Sequence, residues 1–219
     1  MARLAGSAEL EAVWVNAIGG LTFRWDEQYV KWLPAGAPVD LADEAARLRW
    51  AARWTAVPEV LDHGADDDGA WLVTRALPGR SAVDPYWLER PAVAARGVGA
   101  GLRALHDALP VAECPYDWGV TTRAGDDRFD ELAPGIDQLV VCHGDPCVPN
   151  TLLADDGTPL AHLDLGALGV ADRWADLAVA AWSTEWNYGP GYTELLYEAY
   201  GVEPDAERVA FYRALWDAT

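Results

Sequence analysis

The stretch "VVCHGDPCVPNTLLADDGTPLAHLDLG", residues 140–166, decides the fold. An apolar run ends in His143-Gly144-Asp145, and Asn150 follows. An acidic turn and a second apolar run then lead to Asp164-Leu165-Gly166. Carboxylates at the ends of neighbouring short strands are costly unless a cation or a bound ligand compensates them. The pattern therefore asks what that compensating group is.

The spacing His143-x-Asp145-x-x-x-x-Asn150 is that of the catalytic loop of phosphoryl-transfer enzymes. Moving a γ-phosphoryl group requires a residue that positions the attacking hydroxyl and takes its proton, a role open to Asp145. It also requires oxygen ligands for Mg²⁺, a hard cation. Asn150 offers an amide oxygen and Asp164 a carboxylate. Mg²⁺ and nucleotide phosphates would bring these groups together. A strand-ending turn with incidental aspartates is the plain alternative, and it weakens because both halves occur in order.

Working outward, the stretch from Glu11 to Leu33 reads as strand, Gly turn, strand, acidic two-residue turn, strand. A helix follows, capped by Asp40 and stopped by Pro58. Two more strands are joined by the turn Asp66-Asp67-Asp68-Gly69. Pro78-Gly79 breaks the pattern. Beyond it come a long Ala-rich helix from Arg90, a polar loop-like segment to Gln138, two short strands from the opening stretch, and three helices, the last with Pro204 near its start. This predicts an α+β architecture of two lobes. Residues 1–77 form a small antiparallel nucleotide-binding lobe, residues 78–219 a mainly helical catalytic and acceptor-binding lobe, and a ligand cleft lies between them.

The first lobe must then supply a phosphate-binding lysine. Lys31 is its strand lysine, and Glu44 in the following helix is the natural partner. Tyr29 lies two residues before Lys31 and shares its face of the strand; it is either core or a stacking surface for adenine. Gly19 and Gly20 would cover phosphates, although a full Gly-x-Gly-x-x-Gly is missing. By position, Thr74 would line the adenine pocket, and the backbone of Arg75 and Leu77 would meet the adenine edge.

Composition narrows the function classes. The chain has 219 residues, 51% of them apolar, which suits an ordinary globular protein. Net charge is −19, from 16 basic and 35 acidic side chains. That argues against nucleic acid and anionic membranes as partners, and it favours cations or serves solubility alone. No apolar run has the length of a membrane span and no secretory leader is evident, so a cytoplasmic protein is expected. Three cysteines, Cys114, Cys142 and Cys147, match no zinc spacing and read as reduced thiols, with Cys142 and Cys147 as buried small hydrophobes. Most of the twelve Trp should fill the core or line an aromatic pocket.

Taken together, "VCHGDPCVPN", "LDLGALGVADRWADLA", "YVKW", "DEAARLRW", "LPG" and "GLRALHDALPVAECPYDWG" resemble the aminoglycoside phosphotransferase family, as does the final "YGVEPDAERVAFYRALWDAT". The resemblance runs through nearly the whole chain in family order. It implies a protein-kinase-like fold and transfer of the γ-phosphate of ATP (or GTP) to an antibiotic hydroxyl. It implies Asp145 as catalytic base, Asn150 and Asp164 as Mg²⁺ ligands, and Lys31 with Glu44 as the phosphate-positioning pair. His143 would orient the loop. Asp176 would brace it, or be a simple N-terminal helix charge.

There are departures from the family. The segment 117–140 is shorter than in typical members. Ala167 stands where an Arg is frequent. "WSTEWNYG" stands where the family carries acceptor-binding acids, and Asp217 is the one acid kept near the C-terminus. Trp182, Glu185, Trp186, Asn187 and Asp217 are the acceptor-site candidates, suited to a cationic small molecule; the alternative is that these tryptophans close a thin core. A nucleotide-binding pseudokinase, a kinase of another hydroxylated molecule and a metal-dependent hydrolase are the competing functions.

Overall fold

The computed structural model describes residues 11–15 and 19–219. They form two compact units, one of residues up to Arg53 together with Val57–Leu77, the other of Trp54–Ala56 with Pro78–Thr219.

The first unit is a five-stranded antiparallel sheet with one helix. Its strands are β1 (Glu11–Val15), β2 (Leu21–Trp25), β3 (Gln28–Pro34), β4 (Val60–Asp66) and β5 (Gly69–Arg75), in the order β1-β2-β3-β5-β4. Alternation along β2 and β3 drives this pairing, and the Asp26-Glu27 turn closes it with Asp26 at φ 54. Asp and Asn tolerate that left-handed conformation better than most residues do. Helix α1 (Leu41–Ala51) starts where its cap predicts, with the Asp40 carboxylate accepting from the Ala42 N–H at 2.8 Å. It ends before Pro58 is reached, and Trp54–Ala56 join the second unit, where the Ala56 carbonyl accepts from the His162 N–H.

The second unit is mainly helical. It comprises β6 (Arg80–Ser81), α2 (Pro85–Leu88), α3 (Pro91–Ala108), α4 (Val120–Ala124), β7 (Leu139–Cys142), β8 (Thr151–Leu153), β9 (Pro159–His162), β10 (Gly169–Asp172), α5 (Trp174–Tyr188), α6 (Thr193–Tyr200) and α7 (Ala206–Asp217). Helix α3 packs on α6, and α5 on α7. The α3–α6 contact is close enough that a Cβ at Gly99 would lie 2.2 Å from the Leu196 carbonyl oxygen. Leu102, Leu105, Leu177, Leu196 and Leu215 are buried there, each worth roughly 1.5–3 kcal/mol relative to exposure.

Several expectations need correction. The opening stretch supplies three strands rather than two, with β8 and β9 forming a hairpin. β7 pairs with β10, whereas β8 sits between β6 and β9, so the stretch is divided between two small sheets. The polar segment after Gly119 holds α4 and a 3-10 turn at Asp130–Leu132, tied together by the Thr121 hydroxyl on the Asp130 carboxylate at 2.8 Å. Pro204 lies outside α7, whose cap is Asp205, accepting from Glu207 and Arg208. Trp50, Trp87, Trp118 and Trp174 are buried, but the other eight are not, because their indoles lie along strand and helix faces that remain partly open. Cys142 is buried and Cys147 only half-buried. Among the described residues, no helix is long and apolar enough to cross a membrane.

Candidate active site

The centre of the second unit is the turn after β7. His143 and Gly144 donate their backbone N–H groups to the two carboxylate oxygens of Asp176, at 2.6 and 3.0 Å. Asp176 is in the first turn of α5 and fully buried. Its Oδ2 also accepts from His106 Nε2 at 2.9 Å. A carboxylate only accepts, so Nε2 carries the hydrogen, and His106 Nδ1 shares a hydrogen bond with the Tyr200 hydroxyl at 2.8 Å. Burial raises the Tyr200 pKa to about 12, which keeps that hydroxyl protonated. For Asp176, burial opposes ionisation, but the His106 hydrogen bond, the neighbouring imidazoles and the Gly144 N–H outweigh it and hold its pKa below the usual carboxylate range. A buried anion fixed by three donors thus locks the turn that carries Asp145.

Gly144 is required at this turn. It has φ 84, and a Cβ there would lie 2.1 Å from the Ala167 carbonyl oxygen. That contact sets the loop bearing Asp164 directly against the loop bearing Asp145. Asn150 extends the join. Its Nδ2 donates to the Asp145 carbonyl at 2.9 Å, and its own carbonyl accepts from the Leu163 N–H at 2.8 Å. Asp164 follows at φ 58, a left-handed conformation uncommon for a non-glycine residue and one that persists at functional sites.

The turn is also held from α5. Ser183 Oγ accepts from the Val148 N–H at 3.0 Å, and Asn187 Nδ2 donates to the Ser183 carbonyl and hydroxyl oxygens. Asn187 therefore spends its amide bracing Ser183. Burial, followed by the Asp145 charge, pushes the Cys147 thiol well above its ordinary pKa, so it is not a reactive thiolate.

The residues fit a hard cation. Asn150 commits its nitrogen to Asp145, leaving the amide oxygen as its donor atom. Asp145 Oδ1 is buried without a hydrogen-bond partner. Asp164 adds a carboxylate from the adjoining loop, and an all-oxygen set of this kind suits Mg²⁺. The buried trio His106, Cys142 and Asp176 is different. Both imidazole nitrogens are occupied, and Cys142 Sγ donates to the Asp172 carbonyl.

In the first unit, Lys31 Nζ donates to both oxygens of Glu44, at 2.9 and 2.8 Å. Glu44 is buried on α1. On β3, Tyr29 pairs with Thr74 and Lys31 with Leu72 of β5, so Tyr29, Lys31 and Thr74 share a face of the sheet. Tyr29 is half-buried rather than core. Arg75 gives its N–H to the Glu59 carbonyl and its side-chain Nε to the Glu59 carboxylate, so its backbone N–H is not open to a ligand. Leu77 is half-buried at the end of the unit. Gly19 takes φ 80 with nothing within 4 Å of a Cβ position, and Gly20 is buried; residues 16–18 of the same loop lie outside the described residues.

The acceptor candidates divide. Trp182 and Trp186 lie against each other, tilted by 43° with ring centroids 4.5 Å apart, and Trp186 is 64% exposed. Glu185 stands 3.6 Å from Arg213, whose guanidinium lies over Trp182. Asp217 is exposed.

Residues 119–212 match the family described as "Phosphotransferase enzyme family". An aminoglycoside 3'-phosphotransferase of Streptomyces fradiae is 39% identical, with 83% of this chain and 81% of that protein covered. The chain belongs to the aminoglycoside phosphotransferase family. A streptomycin 3''-kinase of Streptomyces griseus is 33% identical over 92% of this chain and 89% of its own length. Among solved structures, an aminoglycoside phosphotransferase of Streptomyces rimosus, in complex with ADP and streptomycin, superposes with a TM-score of 0.77. It is 26% identical over 100% of this chain and 95% of that chain. The fold is therefore the α+β, protein-kinase-like fold that the sequence leads one to expect.

Within this family setting, the structure brings Asp145, Asn150 and Asp164 together, and Lys31 with Glu44. His106 and Ser183 escaped sequence reasoning. His106 lies at an ordinary helical position, and nothing local marks it as the partner of a residue 70 positions away.

Proposed function

We propose that the chain is a kinase that transfers the γ-phosphate of ATP or GTP to a hydroxyl of an aminoglycoside-type acceptor. The observation that carries this reading is the Asp176 carboxylate gripping the backbone on the N-terminal side of Asp145 while Asn150 grips its carbonyl. A base held so firmly costs little reorganisation during reaction.

Asp145 accepts the proton of the acceptor hydroxyl as its oxygen bonds to the γ-phosphorus. The bond from that phosphorus to the β–γ bridging oxygen breaks, and the nucleoside diphosphate leaves. Lys31, kept extended by Glu44, holds donor phosphates. Tyr29 and Thr74 line the adenine, the Arg75 carbonyl and Leu77 backbone meet its edge, and Gly19 and Gly20 cover the phosphates. The Asn150 amide oxygen and the Asp164 carboxylate would hold Mg²⁺, which when bound neutralises phosphate charge.

The net charge of −19 steers a cationic acceptor toward the protein. The adjoining Trp182 and Trp186 offer an aromatic surface to sugar rings or ammonium groups. Glu185 and Asp217 add acidic groups, although Arg213 partly offsets Glu185. That offset favours, as a second reading, an acceptor with fewer ammonium groups than a typical aminoglycoside.

The test incubates the purified chain with Mg·ATP or Mg·GTP and kanamycin A, streptomycin or neutral hydroxylated antibiotics. Mass spectrometry then follows the gain of one phosphate. An aminoglycoside phosphate that disappears with Asp145→Asn supports the proposal. Nucleotide hydrolysis with no phosphorylated acceptor in the whole panel rejects it.

A further inference from the structure

Arg123, on α4 of the second unit, is held in an unusual way. Its guanidinium carbon lies 5.5 Å from the Trp118 ring centroid and 4.9 Å from that of Trp216. Its Nε donates to the Thr219 hydroxyl at 2.7 Å. Two indoles and a hydroxyl thus anchor the guanidinium, while no carboxylate among the described residues forms an ion pair with it. Other arginines of this unit, such as Arg173, Arg208 and Arg213, all meet acidic partners, as an excess of 35 acidic over 16 basic residues makes easy.

The cost of this arrangement is visible. Burial lowers the pKa of Arg123, and the charge that opposes the shift is the carboxylate of Asp145. The guanidinium remains charged nonetheless. Trp118 adds an indole N–H that is buried without a partner, in a residue 4% exposed. A buried donor without a partner calls for an explanation, and a ligand that accepts from it is one.

The fold sets the segment that leads into α4 beside the loop that packs on the catalytic turn. Tyr116 and Trp118 bracket Val170, accepting from its N–H at 2.9 Å and donating to its carbonyl at 3.0 Å. A Cβ at the neighbouring Gly169 would lie 2.7 Å from the Asp117 carbonyl carbon. The start of α4 is thereby fixed against the loop whose Ala167 carbonyl rests on Gly144, the residue before Asp145.

We propose that Arg123 is an acceptor-specificity residue. Its two terminal amino groups hydrogen-bond an oxygen on the acceptor beside the hydroxyl that Asp145 serves, and they select a hydroxyl over an ammonium group at that neighbouring position. The proposal rests on the kinase reading above. Its physical basis is asymmetric. A guanidinium only donates, so a neighbouring hydroxyl satisfies it, whereas an ammonium ion both fails to accept and is repelled. The anchoring of the side chain also lowers the entropy cost of engaging the ligand.

Kanamycin A and kanamycin B test this directly, because they differ only in a hydroxyl or an amine next to the 3'-hydroxyl. kcat/KM is measured for both with the wild-type chain, Arg123→Gln and Arg123→Lys, and thermal unfolding checks that each variant is folded. The wild type should prefer kanamycin A, and Arg123→Gln should shrink that preference by about tenfold or more through KM for kanamycin A. Arg123→Lys keeps the repulsion and should retain part of the preference. Several results overturn the proposal: a wild type that prefers kanamycin B, a preference unchanged in folded Arg123→Gln, or an equal fall in kcat for both acceptors, which would place Arg123 on the phosphoryl group. Failure of the wild type to phosphorylate either compound rejects the kinase reading itself, and this proposal with it.

Discussion

Replacing Asp176 with Asn is nearly isosteric and isolates the charge that holds the catalytic turn. In the wild type, Oδ2 accepts from His143 N and His106 Nε2, and Oδ1 from Gly144 N. The amide has one oxygen and one NH₂ group. Placing the oxygen at the Oδ2 position preserves two bonds but turns NH₂ toward the Gly144 N–H. One buried donor is then unsatisfied, which costs about 1–3 kcal/mol. The two surviving bonds lose their charge assistance, at roughly 1 kcal/mol each. The total is about 3–5 kcal/mol, out of a stability of order 5–15 kcal/mol. At roughly 2–4 °C per kcal/mol for a chain of this size, Tm should fall by about 10 °C. Urea unfolding followed by tryptophan fluorescence measures the stability, and nucleotide titration with steady-state kinetics measures function. kcat should fall more than nucleotide affinity, because the turn carrying Asp145 loosens while Lys31 and Glu44 are untouched. A variant within about 1 kcal/mol of the wild type, with unchanged kcat, would refute the bracing argument.

Four further outcomes are expected. Asp145→Asn should lower kcat by about 10²-fold or more while nucleotide still binds; near-normal turnover would remove Asp145 from its role. Lys31→Met should weaken nucleotide binding and leave Glu44 as a buried anion without its lysine, so calorimetric titration should show reduced affinity and thermal unfolding a lower Tm. Gly144→Ala should express poorly or be inactive, since its Cβ meets a backbone carbonyl at 2.1 Å and φ 84 disfavours alanine; a soluble, active variant would show that the two loops can separate. Acid should destabilise the protein from about pH 6.5 downward. Burial depresses the His162 pKa to about 3, so below the ordinary value of 6.5 the unfolded chain takes up a proton that the folded chain refuses. Stability falls as pH drops from about 6.5 to about 3, by roughly 1.4 kcal/mol per unit once well below 6.5. Asp176 adds a further loss below the ordinary carboxylate range. Urea midpoints at several pH values check the slope, which His162→Gln should reduce.

Local chemistry was legible in the sequence wherever the governing forces act over a few residues. The Asp40 cap, the Asp26-Glu27 hairpin and the 3.6-residue periodicity of the helices depend on neighbours along the chain, and the structure places them as read. The spacing of Asp145, Asn150 and Asp164 was likewise readable, because one loop and one hairpin carry all three. Tertiary structure alone decided the rest. β7 bypasses β8 to pair with β10, since a short apolar strand has no local feature that names its partner. Asp176 could have been a simple helix charge, and only burial against His106 and two backbone N–H groups makes it the anchor of the turn. Arg123 lies between Trp118 and Trp216, residues with no common periodicity, in a segment that reads as polar loop. Its position depends on α4 packing against α7 and on Val170 holding Tyr116 and Trp118. Such contacts join distant parts of the chain through packing and desolvation, and neither has a period or a spacing in the amino-acid sequence.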